Sequence, residues 1–338
     1  MRRQLVTVRT ISSVSPIEGA DRIEIVAIDG WNCIVPVGEF KAGDQAVFFE
    51  IDSFLPADDP RWEFLQDKFI TWEKERGFRV RAMKMRGKIS QGLVQPLGRF
   101  PEIISTLSKL DAKHGREGAA SLLIDMSFEE ALGVRKYEVP EIPISAMSKV
   151  PSVPFPTFVK KTDQIRCQNL PRLLEDWQDK VFQETTKMDG SSMTAYFLQR
   201  GSPQDHQSSA LDLEREHLPV LPGEHFGVCS KNIELPESSG GFYWDVAKKN
   251  RLSEKLSRMN RSIAIQGELC GSAVQNNHEQ FPDGFHDFWV YSIWDIDKQE
   301  YLKPKDTEEM ATEMGLKHVH VGGYYRLGGI ADNVSDLL

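Results

Sequence analysis

The chain has 338 residues, of which 40% are hydrophobic and 27% charged, and its formal net charge is -9. This length exceeds one ordinary hydrophobic core and indicates two domains, and the composition excludes wholesale disorder. The acidic balance excludes a protein that coats nucleic acid without specificity, because phosphates are neutralised by lysine and arginine, but it leaves room for a local basic face.

Neither disulfides, structural zinc nor a membrane span is expected. The four cysteines are widely scattered, with no Cys-x-x-Cys pair, and no apolar run approaches the roughly 18 residues that a span needs. The N-terminus also lacks the apolar core of a signal peptide. We therefore expect a soluble intracellular protein, most simply a cytoplasmic one, without a membrane partner.

Short β-branched runs separated by turns fill the first hundred residues. Asp29-Gly30 is a typical two-residue hairpin turn, and the polar residues 56–75 are interpreted as a helical insertion. About five short strands in this length predict a small barrel, of which the OB-fold is the commonest nucleic-acid-binding version. We assign residues 1–100 to a mainly β, OB-like nucleic-acid-binding domain. The predicted strands are residues 5–8, 22–28, 31–37, 45–51, 78–85 and 92–97.

A basic segment lies within this predicted barrel at residues 76–88. It contains six cations and no acid, which favours a nucleic-acid-binding face, although an ordinary solvated strand face is the open alternative. The six residues are Arg76, Arg79, Arg81, Lys84, Arg86 and Lys88.

The remaining chain changes character twice. Residues 101–150 predict a helical segment and a proline-rich linker, with the domain boundary within residues 140–156. From residue 151 to residue 338, helices and strands alternate irregularly, which predicts an α+β domain with antiparallel sheets. Its predicted helices are residues 169–177 and 243–259, and its predicted strands are residues 180–184, 193–198, 262–269 and 288–294.

The sequence Lys-Met-Asp-Gly at residues 187–190 places Lys187 in a tight turn between two predicted strands. An amine nucleophile needs a fixed approach to its target and a lowered pKa, and the end of a strand supplies the first requirement. Taken alone, Asp-Gly is equally typical of a structural hairpin turn.

Three further features follow Lys187 in order. A strand and turn lead to Lys231, a strand ends near Glu268, and an aromatic strand includes Phe288. A nucleotide pocket needs a nucleophile, polar groups for the ribose, a carboxylate and a flat side chain for the base. The order and spacing resemble motifs I, Ia, III and IIIa of the covalent nucleotidyltransferase superfamily of ligases and capping enzymes.

Similarity extends over nearly the whole chain to the family-5 ATP-dependent RNA ligases, in which an OB domain precedes the nucleotidyltransferase domain, an ATP-grasp-like ligase fold. The resemblance covers both domains in the same order. It is carried by residues 16–24, 49–56, 88–93, 132–138 and 155–169 as well as by the motifs above.

The resemblance implies an enzyme that seals nicks between a 3′-hydroxyl and a 5′-phosphate, through a lysyl-AMP intermediate, in RNA repair. Its substrates would be ATP and nicked duplex RNA or an RNA/DNA hybrid, its metal Mg²⁺ or Mn²⁺, and we expect a monomer. Lys187 would carry AMP, and Glu268 would also bind the metal. The residues implied to bind ATP are Arg166, Gln168, Thr186, Asp189, Lys231, Glu268 and Phe288. Strand alternation puts Trp289 and Tyr291 on the face opposite Phe288, so the assignment of the ring that stacks on adenine can be wrong by one residue position.

The sequence departs from the family's pattern at two places. Lys231 stands where the family usually has arginine, which keeps the charge but loses the planar fork. The sequence ends without the Glu-Gly strand of motif IV or a following Lys-x-Lys pair of motif V. Residues 303–305 read Lys-Pro-Lys and match this pair in residue types, but they fall in a polar turn. We therefore expect residues 151–338 to be a C-terminally incomplete nucleotidyltransferase domain, either a fragment or a natural variant. The rival hypotheses are a catalytically impaired, OB-containing nucleic-acid-binding protein and a capping-type enzyme.

Overall fold

The computed structural model divides into two compact units. Unit 1 comprises Met1–Val139, Ile165–Lys180 and Arg326–Leu338, and unit 2 comprises Pro140–Gln164 and Val181–Tyr325. Unit 2 begins at Pro140, within the range predicted for the boundary, and two later segments of the chain belong to unit 1. The predicted linker at residues 139–150 lies outside the described residues. The structure describes residues 3–123, 126–138, 153–162, 164–170, 172–199, 201 and 225–338.

Unit 1 is mainly β, as predicted. Its sheets have the orders β1-β5-β11, β2-β3-β4 and β12-β6-β8-β7, and β9 and β10 form a separate hairpin. All the pairings are antiparallel. The strands are β1 (Val6–Thr10), β2 (Ser13–Pro16), β3 (Ile23–Ile28), β4 (Trp31–Pro36), β5 (Gln45–Glu50), β6 (Ser53–Pro56), β7 (Ile70–Trp72), β8 (Glu75–Arg79), β9 (Met83–Met85), β10 (Lys88–Ser90), β11 (Gly92–Pro96) and β12 (Arg135–Lys136).

Strand β5 separates two hydrophobic cores of unit 1, because successive side chains of a strand point to opposite faces. Phe48 packs with Trp31 in one core, and Phe49 packs with Trp62 in the other. The second core is covered by helix α1 (Pro101–Leu123) and by a 3₁₀-helix at Pro60–Lys68. The predicted helical insertion is therefore a 3₁₀-helix followed by the β7–β8 hairpin.

The later segments of unit 1 are held by specific contacts. Asn169 donates its side-chain N–H to Glu50 Oε2 at 3.1 Å, and the backbone N–H of Leu327 donates to the carbonyl of Lys180 at 3.2 Å. The helix predicted at residues 169–177 is shorter than expected. It consists of a 3₁₀-turn at Cys167–Asn169 and helix α2 (Leu173–Trp177).

Unit 2 is built on one large sheet of order β13-β17-β16-β15-β18-β19-β20, with β21 pairing in parallel with β19. Strands β14 and β22 form a second pair. Antiparallel pairing dominates the large sheet, as predicted. The strands are β13 (Val153–Pro154), β14 (Val181–Thr185), β15 (Ser191–Leu198), β16 (His225–Cys229), β17 (Ile233–Leu235), β18 (Ile263–Gly271), β19 (His286–Asp295), β20 (Glu300–Tyr301), β21 (Lys317–His318) and β22 (Val321–Arg326).

Helices α3 (Phe242–Lys249), α4 (Leu252–Ser257) and α5 (Pro304–Glu313) contribute to the main core of unit 2. The single helix predicted at residues 243–259 is divided, because Arg251 adopts a left-handed conformation with φ 54° and ψ 42°. A non-glycine residue in this region ends a helix. Within the described part of the chain, no helix is long and apolar enough to cross a membrane.

Candidate active site around Lys187

Lys187 lies in the loop that joins β14 to β15, and the backbone of this loop is fixed on both sides. The N–H of Thr186 donates to the carbonyl of His320 at 2.9 Å, and the N–H of Asp189 donates to Glu279 Oε1 at 3.4 Å. The Lys187 side chain itself is exposed. The loop therefore presents an accessible amine from an anchored backbone, as a nucleophile requires.

Gly190 allows this loop to lie directly against strand β18. A Cβ atom at Gly190 would stand 2.9 Å from the Cγ of Glu268 and 2.7 Å from the Sγ of Cys270, and closer still to the carbonyl oxygen of Leu269. Strand β15 then pairs with β18 so that Ser192 lies opposite Glu268. The glycine of the predicted motif thus sets the approach between the Lys187 loop and the carboxylate.

Glu268 is the electrostatic centre of the site. Burial raises the pKa of its carboxyl group above the ordinary value, while the charge of Lys187, the backbone N–H of Gly190 and the charge of Lys231 lower it and the neighbouring Asp189 raises it further. Three of the other predicted residues therefore lie within electrostatic range of Glu268: Lys187, Asp189 and Lys231.

Phe288 lies on the wrong face of the sheet for a stacking role, which corrects the sequence-based assignment. Its ring is 1% exposed within the main core of unit 2, and the register pairs it with Leu269. Trp289 is instead the partner of Glu268. A ring buried in the core has no face free for a base, so the aromatic side chains of the site must be sought among the neighbours of Phe288.

Tyr291 reaches the site through an irregularity in the pairing of β18 and β19. The register shifts between Gln266 and Gly267. Gln266 pairs with Ser292 and Gly267 pairs with Val290, so Tyr291 has no directly opposite residue on β18. Its hydroxyl donates to Thr162 Oγ1 at 3.0 Å. Burial raises the pKa of Tyr291, a hydrogen bond to Ser192 lowers it, and the charge of Glu268 raises it, so the phenol lies beside the carboxylate.

The whole chain is similar to solved RNA ligases. A lysine-to-alanine variant of the Naegleria gruberi RNA ligase with ATP and Mn matches with 34% identity and a TM-score of 0.70, over 98% of this chain and 86% of that one. The chain belongs to the RNA ligase family. Another variant of the Naegleria ligase, with AMP and Mn, matches with the same identity, coverage and TM-score.

Separate comparisons agree on the order of the domains in this RNA ligase. A family model described as an OB-fold domain matches residues 5–97, and one described as RNA ligase matches residues 180–337. The Naegleria ligase with PPi matches with 33% identity and a TM-score of 0.68, over 100% of this chain and 91% of that one. No curated protein matches significantly. The predicted OB-like barrel followed by a ligase domain is confirmed.

Two predicted ATP-binding residues of the ligase, Arg166 and Gln168, lie in unit 1. The guanidinium carbon of Arg166 is 5.4 Å from the centre of the Trp31 ring. Gln168 is buried, and a Cβ atom at Gly30 would stand 3.2 Å from its Cγ. Their contacts are therefore with the β3–β4 turn and the strand after it, and their roles towards ATP stay predictions.

The structure divides the basic segment of the ligase into two groups. Arg79 donates from Nε at 3.0 Å and from Nη2 at 2.7 Å to Asp52 Oδ1 and lies over the Tyr137 ring, while Arg76 lies over the Phe69 ring. Both side chains thus support their own fold. The other four cations are exposed and make no ion pair within the described residues. These are Arg81, Lys84, Arg86 and Lys88, on and beside the β9–β10 hairpin.

Proposed function

We propose that this RNA ligase uses ATP and a divalent metal to seal nicks between a 3′-hydroxyl and a 5′-phosphate in duplex RNA or an RNA/DNA hybrid, through a lysyl-AMP intermediate, in RNA repair. The observation that carries the proposal is the position of Lys187. Its exposed amine stands on an anchored loop within electrostatic range of Glu268, on which the charge of Lys231 also acts.

In the first step, the unprotonated Nζ of Lys187 attacks the α-phosphorus of ATP. A nitrogen–phosphorus bond forms, the bond between the α-phosphorus and the bridging oxygen breaks, and pyrophosphate leaves with the electron pair while the amine loses its proton. The anchored loop reduces the entropy cost of aligning the amine with the leaving group. Lys231 offsets negative charge that develops on the nucleotide.

In the second step, an oxygen of the RNA 5′-phosphate attacks the phosphorus bound to Lys187, the nitrogen–phosphorus bond breaks, and the amine regains a proton. In the third step, the RNA 3′-hydroxyl attacks the 5′-phosphorus, loses its proton and displaces AMP. The new bond is a 3′–5′ phosphodiester. One amine thus serves as nucleophile and then as leaving group, which requires it to be accessible to both substrates.

The donor set fits a divalent metal shared with phosphate. Within the described residues, no group of three or more His, Cys, Asp or Glu side chains could hold a metal. Mg²⁺, however, is commonly held by one or two carboxylates together with substrate phosphates and water. Glu268 and Asp189 are carboxylates within electrostatic range of each other, and the charge of Lys187 also acts on Glu268. They would hold the metal, which would supply positive charge to the reacting phosphates.

Tyr291 replaces Phe288 as the aromatic that we propose for the adenine. It shares the site face with Ser192 and Glu268, and its hydroxyl is fixed by Thr162. A fixed ring offers a flat surface at a small entropy cost. The proposed metal ligand Glu268 and the proposed stacking ring are thus next to each other on adjacent strands.

RNA binding by unit 1 is assigned to the β9–β10 hairpin. The hairpin carries Lys84, Arg86 and Lys88, and Arg81 precedes it. Exposed cations without carboxylate partners neutralise phosphates. The exposed apolar side chains of Met83, Met85 and Ile89 lie on the same hairpin.

The experiment that tests the proposal is transfer of label to the protein. The ligase is incubated with ATP labelled at the α-phosphorus and Mg²⁺ or Mn²⁺, and labelled polypeptide is measured, followed by sealing of a nicked RNA duplex. We expect Lys187→Ala to abolish labelling. Lys305→Ala is the matched control, because Lys305 is exposed at the start of α5 and pairs only loosely with Glu309, at 4.0 Å.

Absence of labelling in the wild-type protein, or labelling that persists in Lys187→Ala, would contradict the lysyl-AMP proposal. Labelling with GTP in place of ATP would indicate a capping-type enzyme. RNA binding without any labelling would favour a non-catalytic nucleic-acid-binding protein.

A further inference from the structure

The loop between β18 and β19 carries a cluster of aromatic rings that has no place in the proposed chemistry. The rings of Phe281 and Phe285 are stacked with centroids 5.2 Å apart and planes at 17°. Trp289 completes the cluster, with its ring centroid 5.4 Å from that of Phe281. All three side chains are partly exposed. We call these three residues the aromatic platform.

Two lysines border the aromatic platform. The Nζ of Lys317 lies 4.6 Å from the centre of the Trp289 ring, and the Nζ of Lys249 lies 5.2 Å from that of Phe285. Asp287 holds both amines, with Oδ2 at 2.9 Å from Lys317 and 3.3 Å from Lys249. Two lysines thus share one carboxylate, and both lysine side chains are about half exposed.

The platform is adjacent to the nucleophile loop. Its own loop supplies Glu279, whose Oε1 accepts the backbone N–H of Asp189. Trp289 is the cross-strand partner of Glu268, and directly opposite residues lie on the same face of a sheet. The aromatic platform therefore extends the face that carries Glu268.

Aromatic rings with neighbouring cations are the combination that binds unpaired nucleotides, because every base has a flat face and every nucleotide a phosphate. Both elements of this combination are present here, since the three rings are partly exposed and two lysines lie at their rim. Within a nicked duplex the bases are stacked on their neighbours, and the strand ends at the break are where a base can be transferred to a protein ring.

We propose that the aromatic platform stacks on the terminal base of an RNA end at the break, while Lys249 and Lys317 contact its phosphates. The inference rests on the proposed function, since it names the part of the substrate that this face binds. The platform would hold one RNA end next to Lys187 during transfer and sealing.

The first experiment replaces Phe281, whose ring lies in the loop and outside the sheet. We expect Phe281→Ala to weaken binding of nicked RNA by about 5- to 160-fold, equivalent to roughly 1–3 kcal/mol for one stacked base. Phe281→Leu, which keeps apolar bulk without a ring, should lose most of the same affinity, and Phe281→Trp should retain it. The matched control is Tyr301→Ala, an exposed aromatic on β20. Label transfer from ATP should be unchanged in all four variants.

The second experiment removes the base instead of the ring. Nicked duplexes are prepared with an abasic nucleotide at the 5′-phosphate end or at the 3′-hydroxyl end. One of the two ends is the end that the platform binds. When the base is missing from that end, the affinity of the wild type for the duplex should fall to the affinity of Phe281→Ala for the duplex with all its bases. Combining the two changes should then cause little further loss.

The outcomes separate this proposal from the proposed function. The stacking proposal would be overturned if Phe281→Ala and Phe281→Leu both bound nicked RNA with wild-type affinity. It would also be overturned if the loss of affinity from Phe281→Ala multiplied with the loss from an abasic nucleotide at each of the two ends. Both conclusions would hold even if label transfer and sealing proceed. Failure of the wild type to become labelled would instead overturn the lysyl-AMP proposal, and RNA affinity would still report on the platform.

Discussion

Gly190 approaches Glu268 so closely that a Cβ atom on the glycine would stand 2.9 Å from the Cγ of the glutamate. The backbone N–H of Gly190 also stabilises the ionised Glu268 carboxylate and lowers its pKa against the effect of burial. The loop that carries Lys187 is thus fitted against the strand that carries Glu268. A side chain at residue 190 would separate the two.

Gly190→Ala should therefore impair labelling with AMP more than it impairs folding. The added methyl group would meet the carbonyl oxygen of Leu269, which cannot rotate away, so the loop must shift. Overpacking of this kind costs about 1–3 kcal/mol. We expect labelling to fall by at least about tenfold, since small displacements of a nucleophile are costly. Gly98→Ala is the control, because a Cβ at Gly98 meets nothing within 4 Å. Unimpaired labelling in Gly190→Ala would show that the close fit is not required.

The charged residues that the structure brings together at Glu268 could be chosen from sequence because each lies at a strand end or turn in a local pattern. Pairing of the correct strands is enough to bring together Lys187, Lys231 and Glu268. Tyr291, which we propose as the stacking aromatic, could not be predicted in this way. Its position depends on the irregular pairing at Gln266 and Gly267, and a bulge re-aims side chains without a consistent mark in the sequence.

The membership of residues 165–180 in unit 1 could not be predicted, for a related reason. Residues 165–180 follow the predicted linker, so their order along the chain suggested the second domain. Their partners are far away in sequence: Asn169 contacts Glu50, and Arg172 donates to the carbonyl oxygen of Ser121 at 3.3 Å. Contacts over such separations decide which unit a segment joins, and no local periodicity encodes them.

Replacement of Phe288 and of Tyr291 should separate core packing from nucleotide binding. Phe288→Ala should destabilise unit 2 by about 3–5 kcal/mol, the usual cost of removing a buried phenylalanine ring, and is measured by urea unfolding. Tyr291→Ala should instead raise the ATP concentration needed for half-maximal labelling by about tenfold with a smaller loss of stability. Tyr291→Phe keeps the ring and loses only the hydrogen bond to Thr162, so it should bind ATP nearly as well as the wild type. An ATP requirement that Tyr291→Ala leaves unchanged would exclude Tyr291 as the stacking ring.

Removal of the hairpin cations should change RNA affinity through salt dependence. For Lys84, Arg86 and Lys88 replaced together by alanine, we expect the plot of log affinity against log salt to become shallower by about 0.9 for each duplex phosphate that the hairpin no longer neutralises. Fluorescence anisotropy with labelled duplex measures this slope. Arg79→Ala serves as the comparison, because its guanidinium is held by Asp52. It should lower stability by about 1 kcal/mol or less and leave the slope unchanged. Equal slopes for the triple variant and the wild type would remove the hairpin from the RNA interface.

Asp287 should contribute to stability in a manner that depends on pH. Burial alone would raise its pKa, but hydrogen bonds from Asn250, Lys317 and the backbone N–H of Phe288 lower it to about 2. The folded protein therefore binds the proton more weakly than the unfolded chain does. The resulting stabilisation is present above the unfolded value of 3.8 and is lost as the pH falls through about 2.

For Asp287→Asn, the difference in pKa predicts a loss of about 2 kcal/mol in the free energy of unfolding of unit 2 at pH 7. The amide removes one acceptor atom and the charge that holds Lys249 and Lys317. Urea unfolding at pH 7 and at pH 3 should show a smaller difference from the wild type at the lower pH, where the wild-type carboxylate begins to lose its advantage. Asp283→Asn, at an exposed position in the preceding loop, should differ little from the wild type at either pH. A difference for Asp287→Asn that stays constant between the two values would mean that shape, and not charge, makes Asp287 important.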